Sequence, residues 1–168
     1  GTSGLVLVGT TGESATIDVA EHVQIIEQSS RHAKERIPII AGTGANSTKE
    51  AIYLTSAAKK VGADAVLLVT PYYNKPTQSG LIAHYLEIAN EVEIPQILYN
   101  VPSRTGCDLL TETVLRLVPH DNVVGLKDAT GDLGRLEEAL SGLTQLNRTD
   151  FILYSGDDPT ATQFMLNG

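Results

Sequence analysis

The sequence predicts an α/β fold, a (β/α)8 TIM barrel present as about six βα units in one domain over residues 1–168. Three observations predict it. Short β-branched and aliphatic runs recur at Leu5–Val8, Ile37–Ala41, Ala65–Thr70, Gln96–Asn100, Val123–Lys127 and Phe151–Ser155. They are apolar on both faces, as buried parallel strands are. Helical periodicity fills the intervals. The runs start at 5, 37, 65, 96, 123 and 151, so they are 32, 28, 31, 27 and 28 residues apart, which is the length of one strand–helix unit.

The helices follow from spacing and caps. Val19, Val23 and Ile26 share one face of the first, and Ile52, Ala58 and Val61 one face of the second, with Lys59 and Lys60 outside. Ala83, Leu86 and Ala89 mark a third, and Leu136, Ala139, Leu140 and Leu143 a later one. Asp18-Val19-Ala20-Glu21 and Ser47-Thr48-Lys49-Glu50 fit a capping box, and Thr111 fits a cap for the fourth helix. Pro38 and Pro95 stand at strand starts, where a missing N–H is tolerated.

Strict alternation implies a parallel sheet, in one of two architectures. A doubly wound nucleotide-binding sheet carries G-x-G-x-x-G after its first strand. Here that loop reads Gly9-Thr10-Thr11-Gly12-Glu13. A full (β/α)8 barrel needs eight units and about 250 residues. Six units in 168 residues fit such a barrel with flanking units missing. Gly1 stands where Met is usual, and Met165-Leu166-Asn167-Gly168 shows no terminal element. Both ends read as cut, so the chain is expected to be part of a longer protein.

Charge and cysteine content narrow the partners. The net charge of −8 and the lack of a basic patch argue against nucleic acid and acidic membranes. An anionic substrate would need a local Arg or Lys to hold it against that field. Cys107 is the one cysteine, so a reducing, cytoplasmic setting is expected. No apolar run approaches a membrane span, and no signal peptide is apparent.

In a barrel, chemistry sits at the carboxyl ends of the strands. Those ends offer Thr10 and Thr11; Gly42-Thr43-Gly44-Ala45-Asn46; Tyr72, Tyr73 and Asn74; Tyr99 and Asn100 with Arg104 beyond; Lys127 and Asp128; and Gly156-Asp157-Asp158. Lys127 closes the apolar run Val123-Val124-Gly125-Leu126. Burial lowers a lysine pKa and frees the amine to attack a carbonyl. A drop of about three costs roughly 4 kcal/mol, which points to a task. The plain alternative is a lysine whose stem snorkels to water. Tyr99 also reads as a core aromatic with a wet hydroxyl, Tyr72-Tyr73 as loop packing or an oligomer contact, Thr10-Thr11 as a turn, and Arg104 as a surface charge.

Other chemistries lack their patterns. Gly42-x-Gly44 has no following Gly-Lys-Ser/Thr and reads as a turn. His22, His32, His84 and His120 show no ligand spacing, so no metal is expected. No G-x-S-x-G elbow occurs.

Taken together, Gly9-Thr10-Thr11-Gly12-Glu13-Ser14, Ala41-Gly42-Thr43-Gly44-Ala45-Asn46, Thr70-Pro71-Tyr72-Tyr73-Asn74, Tyr99-Asn100-Val101-Pro102-Ser103-Arg104-Thr105-Gly106 and Gly125-Leu126-Lys127-Asp128-Ala129-Thr130-Gly131 resemble the dihydrodipicolinate synthase family of pyruvate-dependent class I aldolases. The resemblance covers essentially the whole chain, from the second barrel strand to the helix after the seventh. It implies a cytoplasmic, homotetrameric lyase of lysine and diaminopimelate biosynthesis that condenses pyruvate with aspartate semialdehyde, without cofactor or metal.

By that resemblance Lys127 forms the imine with pyruvate and Tyr99 shuttles protons. Thr11, with Thr10 beside it, binds the pyruvate carboxylate or passes protons onward. Tyr73 completes the relay by reaching into a neighbouring subunit's site. Arg104 holds the semialdehyde carboxylate, and Gly156 lends backbone near pyruvate. Ser14, Ala15, His22, Asn46, Glu50 and Tyr72 match the pocket where L-lysine inhibits regulated members. Val19 departs from a histidine found there in some of them. The first and eighth strands and the residues after the seventh that contact pyruvate are absent, so the piece alone is expected to leave the barrel open and to be inactive. Two readings stay open: another imine-forming lyase, such as N-acetylneuraminate lyase or a 2-keto-3-deoxy sugar acid aldolase, and a non-catalytic barrel that senses a small acid.

Overall fold

The structure, a computed structural model, describes residues 1–33 and 35–167. Six strands form one sheet: β1 Leu5–Leu7, β2 Ile39–Gly42, β3 Ala65–Val69, β4 Gln96–Asn100, β5 Val123–Asp128 and β6 Ile152–Ser155. All neighbours are parallel and the spatial order follows the chain order. With helices between successive strands, that order curls the sheet into a half-barrel. A doubly wound sheet would reverse its order partway, and this one does not.

The helices among the described residues are α1 Val19–Ala33, α2 Thr48–Lys60, α3 Gln78–Glu91, the single turn α4 Pro102–Thr105, α5 Thr111–Leu117, α6 Leu133–Gln145 and α7 Ala161–Asn167. Pro38 and Pro95 immediately precede β2 and β4, and their carbonyls accept from the Leu5 and Val66 N–H groups at 2.9 Å. The expected caps at α1 and α2 hold on one side. Asp18 Oδ1 accepts from the Glu21 N–H at 2.9 Å and Ser47 Oγ from the Glu50 N–H at 3.4 Å. No returning bond from either glutamate is present among the described residues. Thr77 and Asp132 cap α3 and α6 in the same way.

Three expectations need correcting. Thr111 does not cap α5: it is already helical, and the extended residue before it is Leu110, with no side chain to accept. The buried face of α3 is Leu81, Tyr85, Ile88 and Ala89, while Ala83 is exposed. Leu81, Tyr85 and Ile88 themselves keep helical spacing, so the face was set one step out of phase. The chain also has a late helix, α7, running to Asn167; Gly168 lies outside the described residues.

Two apolar layers divide the work. Between sheet and helices, Ile26, Leu68, Leu81, Ile88 and Leu98 are fully buried, each contributing about 1.5–3 kcal/mol. On the concave face, Leu67, Ile97, Tyr99 and Val101 form a smaller cluster with Ile40, Val69 and Val124 around it. The concave residues of the two edge strands are open, with Val6 49% and Ile152 48% exposed. One register shift lies between β4 and β5: Gln96 pairs with Val123 but Ile97 with Gly125, so β5 carries one residue more.

His84 of α3 is buried in the helix layer. Its Nδ1 meets Thr48 Oγ1 at 2.9 Å, its ring meets Tyr85 edge-on, and its Nε2 has no partner among the described residues. Burial lowers its pKa to about 4 from an ordinary 6.5. Its stabilising effect is therefore complete above pH 6.5 and is lost as the pH falls toward 4, because the unfolded chain binds the proton first. Between pH 7 and pH 5 this group is expected to cost about 2 kcal/mol of stability. Urea midpoints of the parent and His84→Gln at the two pH values check it: the parent should lose more. Equal losses would remove the histidine as the cause.

Candidate active site

The site is built where β4 and β5 end side by side. Tyr99 pairs with Lys127 in register, so both side chains point to the concave face. The Lys127 Nζ stands over the Tyr99 ring, 4.5 Å from its centroid. Tyr99 is buried, and its carbonyl accepts from the Thr70 N–H at 2.8 Å and the Thr70 hydroxyl at 2.9 Å. These bonds hold the Tyr99 backbone in place. Burial pulls the Lys127 pKa below the ordinary lysine value, with the Asp158 carboxylate acting the other way. A lowered pKa raises the share of neutral amine. Gly156 donates its N–H to the Asp128 carbonyl at 2.7 Å. A Cβ at Gly156 would come within 3.0 Å of Lys127 Cε and 2.9 Å of Ala129 Cβ, so only glycine lets the lysine stem lie there.

The loop after β1 reaches over the same end. Val8 has φ 45°, a left-handed conformation that a β-branched residue rarely adopts. Gly42 permits this turn, because a Cβ there would sit 2.5 Å from the Val8 carbonyl oxygen. The strained turn leads into Gly9 and Thr10.

A cavity of about 480 Å³ opens beside this end of the sheet. Val8, Leu54, Leu67, Val69 and Val101 form apolar wall. Thr10, Tyr99 and Arg104 line one part of it, and Ser14, Ala15, His22, Glu50 and Tyr72 another. Three residues expected at the substrate site and five expected at the lysine pocket thus share one continuous cavity. Glu13 and Ile17 also line it, and the sequence offered no signal for either beyond their place in the loop. His22 Nε2 donates to the Gly42 carbonyl at 2.8 Å. Burial lowers the His22 pKa against that bond and the charge of Glu50.

Five expected residues are off this wall. Lys127 and Gly156 lie beyond Tyr99, and Thr11 is exposed in its loop. Asn46 uses its carbonyl to accept from Asn74 Nδ2 at 3.1 Å. Tyr73 has φ 74° and is 90% exposed, so within this chain it touches neither Lys127 nor Tyr99. Among the described residues no group of three or more His, Cys, Asp or Glu side chains is placed to hold a metal ion, and no helix is long and apolar enough to cross a membrane.

Known proteins are similar to this chain over its whole length. Proteins named 4-hydroxy-tetrahydrodipicolinate synthase from Ectopseudomonas mendocina and Pseudomonas aeruginosa are each 60% identical over 168 residues, the whole chain, which spans 56% of their length. The crystal structure of the chloride-inhibited dihydrodipicolinate synthase of Acinetobacter baumannii, complexed with pyruvate, superposes with a TM-score of 0.94 at 58% identity, over 100% of this chain and 56% of that one. The enzyme of Cyanidioschyzon merolae with lysine bound gives 0.91 at 40% identity, over 99% and 55%. The family match runs over residues 1–168, and with the site geometry it gives one conclusion: the chain belongs to the dihydrodipicolinate synthetase family.

Proposed function

We propose that this chain supplies the imine-forming wall of a 4-hydroxy-tetrahydrodipicolinate synthase, a lyase condensing pyruvate with L-aspartate-4-semialdehyde for lysine and diaminopimelate biosynthesis. Residues 1–168 then make up one partial barrel domain. The observation that carries the reading is the pairing of Lys127 and Tyr99 at the carboxyl ends of neighbouring strands, with Nζ 4.5 Å from the ring centroid and its pKa lowered by burial. The relatives' names and the pyruvate complex of the Acinetobacter enzyme support it.

The neutral Lys127 amine attacks the pyruvate ketone carbon, and water leaves to give the imine. The imine draws electrons from the adjacent methyl, which gives up a proton and becomes an enamine. Its carbon attacks the semialdehyde carbonyl, and the new alkoxide takes a proton. Each transfer suits a phenol or hydroxyl such as Tyr99, Thr10 or Thr11, with no metal or cofactor. Arg104 on the cavity wall is free to clamp the semialdehyde carboxylate in a bidentate geometry. It favours the synthase over a sugar-acid lyase, which takes a different second substrate. Gly156 keeps space beside the lysine stem.

The exposed Tyr73 supports a homo-oligomer, a tetramer by family resemblance, in which it enters a neighbour's site. Ser14, Ala15, His22, Glu50 and Tyr72 on the cavity wall, with Asn46 nearby, form the place for an L-lysine inhibitor. The lysine-bound relative and the acidic Glu50 support this. The single buried cysteine supports a cytoplasmic setting.

The test is to incubate the full-length polypeptide with pyruvate and borohydride and map the adduct by peptide mass. One reduced pyruvate on the Lys127 peptide is expected. An unmodified peptide from folded protein would favour the acid sensor. In the full-length polypeptide, turnover of aspartate semialdehyde against N-acetylneuraminate separates the two enzymes, and a lysine titration tests the inhibitor.

A further inference from the structure

One charged cluster lies outside the site, and the reaction as described does not use it. Successive strand residues face opposite sides of a sheet. Where Tyr99 and Lys127 point inward, the next pair, Asn100 and Asp128, points outward into the helix layer. There Arg135 of α6 meets them. Its Nη1 donates to both Asp108 carboxylate oxygens, at 3.0 and 2.8 Å, and its Nη2 donates to the Leu109 carbonyl at 2.6 Å. Its Nε lies 3.5 Å from Asp128 Oδ2, an ion pair without a hydrogen bond, since that buried N–H has no hydrogen-bond partner among the described residues. Asn100 closes the ring. Its Nδ2 donates to Asp108 Oδ1 at 2.9 Å, and its Oδ1 accepts from the Leu109 N–H at 3.0 Å.

The cluster is tight enough to perturb its members. Burial works to raise the Asp108 pKa, but hydrogen bonds from Arg135 and Asn100 outweigh it and hold the carboxyl below its ordinary value. Asp128 is pushed up, mainly by burial. The strand ends are also tied sideways: the Ala129 N–H donates to the Asn100 carbonyl at 2.9 Å and the Gly156 N–H to the Asp128 carbonyl at 2.7 Å. The α4 turn carrying Arg104 hangs between two of these anchors, Asn100 and Asp108.

We propose that Arg135 is a positioning residue for the imine-forming pair. From the outer side of the barrel wall it clamps Asp108, Asp128 and the Leu109 carbonyl, and so fixes the ends of β4 and β5 that carry Tyr99 and Lys127. The proposal rests on the imine-forming role given to Lys127. A planar guanidinium can hold a carboxylate and a carbonyl at once, and an ammonium cannot match that fork. A misplacement of about 1 Å at a reacting group can cost about a hundredfold in rate.

The test compares the full-length parent polypeptide with its Arg135→Gln, Arg135→Lys and Asp108→Asn variants, each first shown to be folded by circular dichroism. The rate of pyruvate trapping by borohydride is read as a function of pH. Arg135→Gln is expected to slow trapping by about ten- to a hundredfold and to move its pH midpoint upward, as Lys127 loses its shelter. Arg135→Lys should recover only part of the rate, and Asp108→Asn should show the same trend more weakly. A purely structural role would lower the melting temperature and leave rate per folded molecule and midpoint alone; that result overturns the proposal. If Arg135→Gln does not fold, Asp108→Asn decides by the same two readouts. Amide exchange at Ala129 and Gly156 keeps the two ideas apart. If the parent traps no pyruvate, the imine reading fails, while faster exchange in the variants still supports the clamp and unchanged exchange removes it.

Discussion

Lys127→Arg is expected to abolish the trapped pyruvate adduct, leaving only background. The change keeps a positive charge over the Tyr99 ring, but a guanidinium stays protonated and offers no free lone pair for a ketone. Lys127→Met should give the same null result while retaining or raising the melting temperature. The lysine is held half-buried against the cost of its charge, as its lowered pKa records, and groups kept for chemistry often lower stability. In the parent, trapping should rise with pH and reach half its maximum below the ordinary lysine pKa. A midpoint at the ordinary value would mean the amine is not sheltered. An adduct persisting in Lys127→Arg would move the chemistry to another lysine.

The second large effect is on folding. Gly44→Ala would place a Cβ 2.3 Å from the Val69 backbone nitrogen and 3.0 Å from Val69 Cγ1. Backbone cannot rotate away as a side-chain tip can, so either β3 or the turn after β2 must shift. Overpacking of this kind costs about 3 kcal/mol or more, or roughly 6–12 °C in melting temperature for a chain of this size. Gly4→Ala is the control, since its Cβ would meet nothing nearer than 3.7 Å. Val69 pairs with Tyr99, so whatever Gly44→Ala folds should also trap pyruvate more slowly. A melting temperature within a degree or two of the parent would show that the turn yields easily.

This glycine also shows where sequence reading reaches its limit. Gly42-x-Gly44 was legible as a turn, but not as two places where neighbouring backbone leaves no room. The strands were legible because each is a short apolar run, and β4 was placed to the residue. Lys127 and Tyr99 were legible because a polar group at the end of such a run stands out. Arg135 and Asp108 were not. They meet across 27 residues, and each alone resembles an ordinary surface charge. The α4 turn was hidden for a similar reason. Its four residues are too few for periodicity to register, and only Pro102 hints at a helix start. The face of α3 was misjudged because Ala83 is as apolar as its buried neighbours and gives no phase.

The extra residue where β5 leaves register with β4 has a consequence for chain length. Counting without it, Lys127 would stand opposite Asn100 and look outward, and the amine would exchange places with a carboxylate. Val124 absorbs the offset, so that Val123 still serves the helix layer while the strand's far end serves the hollow side. Between Val123 and Lys127 the number of residues matters as much as their kind. Removing either Val124 or Leu126 takes out the extra residue and leaves Lys127 opposite Tyr99 in an unbulged strand, whereas removing both turns it outward.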